Sequence, residues 1–366
     1  MSTVEPRGAS TAGMGAGGYY DAHSEYQRRV IEAGDELIRS MMEKVELDSV
    51  ETLTIADYGA GTGATSVHAV KGAIGVLRKR NRDLPVLAVH NDVPTSDFSQ
   101  LFRNVAGPDG YVGVEGGPVY PAAAAGSFFG QVLPSGSVHA GMCSNAVHWL
   151  REQPRARVPD GMYFSDATGR AREELAGQAA RDWEAFLTAR AAELAEGGLV
   201  LVQGIGSTVS ESGDAEVSAA RLLRAMWKVA VGLAEDGLLK RETLDGYVLS
   251  VYCRTVEESR APVEDGGPLV GVLDLVSSGV VEVANPYWEA FERGRDPGAY
   301  AEAYVDFVRA WSESTMLEHL FEPGAIGVDP QALSNMFFDR LRDATAADPD
   351  AGRYRAWIVR VLFRRL

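Results

Sequence analysis

The fold is decided by residues 53–63, which read Leu53-Thr54-Ile55-Ala56-Asp57-Tyr58-Gly59-Ala60-Gly61-Thr62-Gly63. An apolar run that stops at a glycine cluster, with a helical pattern over 64–80 behind it, predicts a strand, a tight turn and a helix. Glycine lets a ligand approach the backbone where a Cβ would block it. No lysine follows at P-loop spacing. The turn therefore fits a dinucleotide or an S-adenosyl cofactor, and a purely structural turn is the alternative.

Strands and helices alternate after this turn. Buried strands are predicted over 86–89, 137–142 and 199–202, with a helix over 171–194 before the last of them. This alternation is typical of an α/β fold, in which a mainly parallel sheet is covered by helices on both faces.

The flanking segments follow other patterns. Residues 1–18 are rich in small residues and predict a mobile arm. Apolar residues in three- and four-residue steps predict one amphipathic helix over 26–45.

The pattern changes near residue 207. Helices are predicted over 222–239 and 300–320, short strands over 246–252 and 280–283, and a closing strand over 354–363. The predicted division is an arm (1–18), a cofactor-binding core (19–206), a mostly helical cap whose strands return to the core (207–345) and a closing strand (346–366).

Composition excludes several classes of protein. The chain has 366 residues, 46% hydrophobic and 23% charged, so a fully disordered chain is excluded. The net charge of −16 repels phosphate backbones and anionic lipid, so neither nucleic acid nor a membrane is an expected partner. Two cysteines, no apolar run of about 18 residues and no signal pattern predict a cytoplasmic protein. The six histidines show no metal-ligand spacing, so no metal is expected.

An acidic residue follows the second strand. Asp92 would lie beside the glycine turn if the strands over 53–58 and 86–89 are neighbours. There it could accept both hydrogen bonds of a ribose diol, while Asp57 holds another polar group of the ligand. The alternative role of Asp92 is to cap a turn or helix.

Five ordered blocks within residues 14–154 resemble the SABATH carboxyl methyltransferases, a family named after salicylic acid, benzoic acid and theobromine. The blocks are GGYYDAHSEYQ at 17–27, DYGAGTGAT at 57–65, NDVPTSDF at 91–98, GSFFGQVLP at 126–134 and SVHAGMCSNAVHWL at 137–150. The loop at 60–65 is nearer a generic methyltransferase loop than the plant Cys-Ser-Ser-Gly-Pro-Asn, which indicates a divergent member.

The resemblance implies a Rossmann-like fold and S-adenosylmethionine-dependent methyl transfer to a small carboxylic acid, aromatic or aliphatic, such as benzoate or salicylate. The implied cofactor contacts are Tyr20, Ser24, Asp57, Gly59, Gly61, Gly63, Asp92, Val93, Ser127, Phe128 and Cys143. Gln27 and Trp149 match the pair that hydrogen-bonds the substrate carboxylate in the family. Family members are commonly homodimers, and we expect the same here.

Further acceptor contacts are expected from the cap and from His148. Met226, Trp227 and Trp311 lie on predicted cap helices and offer surface suited to an apolar or flat acyl group. Each of these residues also has an ordinary structural interpretation. Trp149 could be a core aromatic, Gln27 could face solvent and His148 could be a satisfied histidine.

The chemistry needs alignment rather than a base. A carboxylate is already ionised at neutral pH, so two neutral donors, Gln27 and Trp149, suffice to orient it for in-line displacement. The alternatives are N-methylation of the theobromine type, a non-catalytic binding protein on this scaffold, and a nicotinamide oxidoreductase. Asp92 lies well beyond the roughly 20-residue spacing of the dinucleotide fingerprint, which weakens the last alternative.

Overall fold

The computed structural model describes residues 23–210 and 212–366, so the predicted arm at 1–18 and Tyr20 lie outside the described residues. Its strands are β1 Leu53–Tyr58, β2 Val86–Asp92, β3 Val119–Ala125, β4 Val138–Ser144, β5 Leu194–Ile205, β6 Ser207–Val209, β7 Ala215–Val217, β8 Leu273–Val283 and β9 Ala356–Arg365. Seven of them form one sheet in the order β3-β2-β1-β4-β5-β9-β8, and β6 and β7 form a separate hairpin.

The helices surround this sheet. They are α1 Glu25–Glu32, α2 Asp35–Lys44, α3 Ser66–Arg80, α4 Phe98–Ala106, α5 Gly169–Glu193, α6 Ala220–Glu235, α7 Arg241–Gly246, α8 Val256–Arg260, α9 Pro286–Gly294, α10 Pro297–Met316 and α11 Pro330–Ala347. Helix α10 runs on into a π-helical turn, Leu317–Phe321. Within the described ranges, no helix is long and apolar enough to cross a membrane.

The first five strands are parallel, and β9 lies antiparallel between β5 and β8. The predicted parallel sheet with a closing strand is thus confirmed. Tyr58, at the end of β1, pairs with Asn91 on one side and Cys143 on the other. The ends of three neighbouring strands therefore meet at one edge, where open α/β sheets bind ligands.

Each face of the sheet has its own apolar core because side chains alternate along a strand. Leu53 and Ile55 pack with buried residues of α2, α3 and α4. Ala56 and Tyr58 belong to the opposite cluster, with Trp183 of α5. A third cluster contains buried residues of α1, α6, α10 and α11 together with residues 247–253.

The single helix predicted over 26–45 is wrong, because the chain bends between α1 and α2. A Cβ at Gly34 would lie 2.3 Å from the Gln203 side-chain oxygen. Gln203 is fully buried on β5 and donates to the Ser144 hydroxyl at 3.0 Å. The bend thus places the backbone of Gly34 against a polar side chain of the sheet.

The strand predicted over 246–252 is also wrong, because this segment joins no sheet. Its backbone instead holds the loop after β4: Val251 bridges Trp149, and the Tyr252 amide donates to the His148 carbonyl at 2.9 Å. The segment therefore positions two of the residues that the sequence singled out.

Strand β3 had no prediction. It contains four consecutive alanines after Pro121, and both residue types are weak strand formers. It forms one edge of the sheet, where proline is tolerated.

Candidate active site

The glycine turn follows β1 and adopts a backbone that only glycine takes readily. The φ angles of Gly59, Gly61 and Gly63 are +78°, +57° and +77°. A Cβ at Gly59 would lie 2.3 Å from the Ala146 Cβ, whereas a Cβ at Gly61 would meet no described atom within 4 Å. Gly59 is thus required by packing, and Gly61 borders open space.

Asp92 lies beside this turn. Its carboxylate accepts hydrogen bonds from the amides of Gly61 at 2.6 Å and Val93 at 2.7 Å. Burial raises the pKa of Asp92, while these two bonds act in the opposite direction. The side chain links the turn after β1 to the end of β2, next to the open space at Gly61.

Asp57 belongs to a buried polar chain. Its carboxylate lies 2.8 Å from His90 Nδ1, and His90 Nε2 lies 2.7 Å from the Tyr111 hydroxyl. An ionised carboxylate only accepts, so Nδ1 donates to Asp57, and a neutral ring would then accept from the Tyr111 hydroxyl at Nε2. This chain fixes the orientation of Asp57 at the end of β1.

The loop after β3 lies beside the glycine turn, at the same edge of the sheet. Phe128 lies next to the glycine turn, since a Cβ at Gly59 would be 3.5 Å from its ring. Its ring also packs edge-on against Phe186 at 5.7 Å. Ser127 is exposed, and its hydroxyl accepts from the Phe129 amide at 3.4 Å.

A fully buried ion pair on α5, which sequence reasoning missed, holds this loop. Arg190 pairs with Glu193 at 2.9 Å, and neither side chain is exposed. Arg190 donates to the carbonyls of Phe128 and Gly130, and Glu193 accepts from the Val132 amide. The available signal was two opposite charges three residues apart in an alanine-rich helix end.

Two other predicted cofactor contacts, Cys143 and Val93, lie at the same edge, and a third, Ser24, precedes α1. Cys143 is fully buried at the end of β4, and burial raises the pKa of its thiol to about 12, so the thiol stays neutral. Val93 contributes the amide that Asp92 binds. Ser24 is buried immediately before α1.

A cavity lies next to the loop after β4, and the space between its walls, open solvent at the mouth included, is about 640 Å³. We call it the acceptor cavity. Its lining in the described part of the chain is aromatic, apolar or amide-bearing and contains no charged side chain. The residues are Tyr26, Gln27, Val30, Asn145, His148, Trp149, Tyr163, Ile205, Ala219, Leu223, Leu249, Val251, Phe307, Trp311, Tyr354 and Ala356.

Four residues of this lining each have one buried polar atom without a hydrogen-bond partner within the described ranges. The atoms are Gln27 Oε1, Asn145 Oδ1, His148 Nδ1 and Trp311 Nε1. An unsatisfied buried polar atom costs about 1–3 kcal/mol. Such atoms are rare in native structures unless a ligand or water binds them. The acceptor cavity therefore suits a ligand that is recognised by hydrogen bonds to uncharged side chains.

Gln27 is held in place by two contacts in the C-terminal half of α1. Its neighbour Arg29 binds Glu289 of α9 at 2.7 Å. At the C-terminal end of α1, Arg360 of β9 donates to the Ala33 carbonyl at 2.9 Å. Helix α1 is thus fastened to the cap and to the sheet, and Gln27 faces the cavity between them.

His148 is a neutral wall residue. Burial lowers its pKa to about 3, and the nearby Arg254 contributes in the same direction. Arg254 is itself buried and donates to the carbonyls of Val147 and Ala179. Because so low a pKa makes a weak base, His148 acts as a neutral hydrogen-bonding group and is poorly suited to take a proton.

The two adjacent cap residues expected to contact the acceptor lie elsewhere. Met226 is fully buried in the cap core and Trp227 is 8% exposed, and neither lines the acceptor cavity. On the same helix, α6, the cavity is lined by Leu223 instead. Trp311, on α10, lines it beside Phe307, one turn earlier.

The edge of the sheet fits a nucleoside cofactor, because it combines the open space at Gly61 with the carboxylate of Asp92. No group of three metal-ligating side chains was found in residues 23–210 and 212–366.

Comparison with known proteins gives the family. Residues 9–354 match the model of the SAM-dependent carboxyl methyltransferases. Among curated relatives, loganic acid O-methyltransferase of Catharanthus roseus is 28% identical, covering 67% of this chain and 69% of the relative. Gibberellic acid methyltransferase 2 of Arabidopsis thaliana is 26% identical, covering 80% and 79%. Farnesoic acid carboxyl-O-methyltransferase of the same plant is 28% identical, covering 67% and 72%.

A solved structure agrees on the fold. The structure described as loganic acid methyltransferase with SAH has a TM-score of 0.75 and 24% identity, and covers 97% of this chain and 98% of its own. The predicted Rossmann-like methyltransferase fold is thus confirmed. The match to the family model over residues 9–354 establishes that the chain belongs to the SABATH family of S-adenosylmethionine-dependent carboxyl methyltransferases.

Proposed function

We propose that this chain converts a small carboxylic acid to its methyl ester, with Gln27 and Trp149 orienting the carboxylate. The observation that carries the proposal is the acceptor cavity. It has no charged lining among the described residues, it includes both predicted donors, and it leaves Gln27 Oε1 buried without a partner.

The residues of the cavity act by placing the nucleophile. An amide can turn to present its N–H groups, so Gln27 and the Trp149 indole can hold one carboxylate oxygen and leave the other exposed for reaction. Both are neutral, so they orient the carboxylate without neutralising it as a bidentate arginine would. S-adenosylmethionine, when bound, supplies a methyl group activated by the sulfonium. Alignment of the reacting atoms about 3 Å apart is the main requirement.

The surrounding elements exclude water. In the proposed division, the cap at 207–345 contributes Leu223, Phe307 and Trp311 to the acceptor cavity. The core at 19–206 contributes α1 and the loop after β4. A closed apolar wall keeps water from solvating the carboxylate. We further propose a cytoplasmic homodimer, which fractionation and light scattering would test.

The test is a turnover and binding comparison. Gln27→Leu and Trp149→Phe remove donors at nearly constant volume. Each should lower kcat/KM for an accepted acid about 100-fold or more, because a misplaced nucleophile loses the benefit of alignment. The affinity for S-adenosylhomocysteine, measured by calorimetry, should change by less than about twofold, as expected for uncoupled sites. Gln178→Leu on α5, outside the cavity, is the matched control.

Other outcomes separate the alternatives. Loss of S-adenosylhomocysteine binding in both variants would contradict the assignment of Gln27 and Trp149 to the acceptor. Methyl transfer to a ring nitrogen but to no acid would favour an N-methyltransferase. Cofactor binding without transfer to any acceptor would favour a non-catalytic binding protein.

A further inference from the structure

Two buried side chains hold the end of β3 and the loop after it from inside the protein. Asn91 of β2 and Arg190 of α5 each donate to two backbone carbonyls of this segment, at 2.8–3.0 Å. The four carbonyls alternate along the chain and belong to Ala124, Gly126, Phe128 and Gly130. Since both donors are buried, these bonds are strong, and the backbone of the loop is fixed along this stretch.

Arg190 is oriented by Glu193 and Tyr58, both of which are buried. The guanidinium donates to the two Glu193 carboxylate oxygens at 2.9 and 3.0 Å, and its Cζ lies 3.9 Å from the centre of the Tyr58 ring. The Tyr58 hydroxyl donates to the same carboxylate at 2.6 Å, and burial raises the pKa of this hydroxyl well above its usual range. Glu193 also accepts from the loop amides of Val132 and Leu133. We call Tyr58, Arg190 and Glu193 the arginine unit.

The arginine unit joins the loop after β3 to the glycine turn. Tyr58 is the last residue of β1 and directly precedes Gly59, the first glycine of the turn. The Phe128 ring would lie 3.5 Å from a Cβ at Gly59, so the loop and the turn lie side by side there. A shift of Arg190 would therefore move the loop relative to the turn.

A buried ion pair at this place provides geometry more than stability. Desolvation offsets most of the attraction between two buried charges, so apolar residues of the same volume often stabilise an interior equally well. A guanidinium that binds a carboxylate through two hydrogen bonds has a defined direction, which apolar packing lacks. In this chain, that direction aims other N–H groups of Arg190 at the loop carbonyls. The arginine unit is thus suited to fix the loop beside the glycine turn.

We propose that Arg190 is a positioning residue for the methyl donor: together with Glu193 and Tyr58 it fixes the loop after β3 against the glycine turn and so strengthens the binding of S-adenosylmethionine. Arg190 and Glu193 have no exposed surface, so they act through the loop. The inference rests on the proposed function, since it takes the methyl donor to bind at this edge of the sheet.

Tyr58→Phe is the mildest test, because it removes one hydroxyl and keeps the ring beside the guanidinium. The dissociation constant for S-adenosylhomocysteine, measured by calorimetry, should rise about fivefold or more. The KM for S-adenosylmethionine should rise by a similar factor, whereas kcat at saturating S-adenosylmethionine and the KM for an accepted acid should change by less than about twofold. A loss of folded protein alone would lower kcat and leave both KM values unchanged.

Tyr304→Phe is the matched control. Tyr304 is a fully buried tyrosine of α10, and its hydroxyl donates to the Gly352 carbonyl at 2.7 Å, outside the arginine unit. This variant should lose stability and keep the affinity for S-adenosylhomocysteine within about twofold.

Arg190→Lys keeps the charge and removes the fork that binds two carbonyls. It should weaken S-adenosylhomocysteine binding about tenfold or more. The double variant with Tyr58→Phe should bind as Arg190→Lys does, because both changes act through one unit. Arg78→Lys is the control, since Arg78 donates to the carbonyls of Leu84 and Gly117, which precede β2 and β3 at the opposite edge of the sheet. If Arg190→Lys does not fold, the two tyrosine variants decide.

Hydrogen exchange in the cofactor-free protein tests whether the loop transmits the effect. The amides of residues 126–133 should exchange faster in Tyr58→Phe than in the unsubstituted protein, because one bond that holds Glu193 is lost. Tyr304→Phe should leave their exchange unchanged. Weaker binding in Tyr58→Phe without faster exchange in the loop would overturn the proposal.

The affinities decide the remaining outcomes. Unchanged S-adenosylhomocysteine binding in Tyr58→Phe overturns the proposal, as does a Tyr304→Phe variant that weakens binding by the same factor. Weaker binding in Tyr58→Phe alone, with no ester formed from any acid by the unsubstituted protein, overturns the proposed function and leaves the positioning role standing. If the unsubstituted protein does not bind S-adenosylhomocysteine, both are overturned.

Discussion

The cofactor edge, formed by the glycine turn, Asp92 and the Phe128 loop, differs from the acceptor cavity in how its polar groups are satisfied. At the edge, the Asp92 carboxylate already has two backbone partners, and Asp57 is held by His90. In the cavity, four buried polar atoms have no described partner. The edge is thus organised by the protein itself, whereas the cavity leaves part of its hydrogen bonding to a ligand.

The largest effect on stability is expected at the buried Arg190–Glu193 pair, which holds the loop after β3 at the cofactor edge. Arg190→Met leaves Glu193 buried without its partner, which should lower the free energy of unfolding by about 3–5 kcal/mol. Arg170→Met on the same helix breaks an exposed pair with Glu174 and should cost less than about 1 kcal/mol. Denaturant unfolding measures both, and equal losses would show that the edge does not depend on the buried pair.

A smaller effect is expected in cofactor affinity. Asp92→Asn keeps the shape of the side chain but removes the charge that accepts two amide hydrogen bonds and that is expected from the sequence to accept those of a ribose diol. The dissociation constant for S-adenosylhomocysteine should rise about 10–100-fold. The control is Asp97→Asn, since Asp97 only caps α4 through the Gln100 amide. A normal affinity in the Asp92 variant would remove Asp92 from the cofactor site.

The burial of His148 in the cavity wall is tested by the pH dependence of the free energy of unfolding. His148 has a pKa of about 3 in the folded chain, below its ordinary 6.5. The unfolded chain therefore takes up a proton first as the pH falls. The contribution of His148 to stability is full above about pH 6.5 and is lost toward pH 3, by about 1.4 kcal/mol per pH unit. Unfolding between pH 7 and pH 4 should show this slope, and His148→Phe should flatten it.

The control for that slope is His68→Phe, because His68 is exposed on α3. An unchanged slope in the His148 variant would mean that the cavity wall is open to water or to protons. A neutral His148 also predicts that His148 itself adds no titration near pH 6.5 to kcat/KM for an acid.

The smallest effect is expected from a comparison of two glycines that have similar positive φ angles. Gly61 and Gly327 have φ angles of +57° and +66°, and a Cβ at either would meet no described atom within 4 Å. Replacement by alanine should cost about 1–2 kcal/mol of stability at each. Only Gly61→Ala should also weaken S-adenosylhomocysteine binding, because only Gly61 borders the cofactor edge. Equal binding by the two variants would contradict that placement.

The geometry of the edge at the glycine turn was largely predictable from the sequence because its signals are local. The glycine turn follows directly on a recognisable strand, and the position of Asp92 required only that β1 and β2 be neighbours. The sequence did not predict the role of Arg190 and Glu193, because a charged pair on a helix is normally solvated. This pair is buried only because α5 packs against the loop after β3.

The cavity was less predictable because distant segments build it. The bend at Gly34 depends on Gln203, and the 246–252 segment pairs with a loop about 100 residues earlier in sequence. Hydrophobic character alone could not separate Leu223, which lines the cavity, from Met226, which faces the core. That distinction depends on how α6 is rotated against its neighbours.

Arg254 has a consequence for how an acid would arrive. Its guanidinium lies behind His148, and the two residues line the same small second cavity. Its pKa, lowered by burial to about 10, leaves it charged at neutral pH. The chain as a whole carries −16 and repels an anion in solution, whereas this buried cation weakens that repulsion behind the cavity wall, where Asp182 and Glu258 also act on it. Because dissolved salt screens the repulsion outside the protein, uptake of the acid should become faster as ionic strength rises.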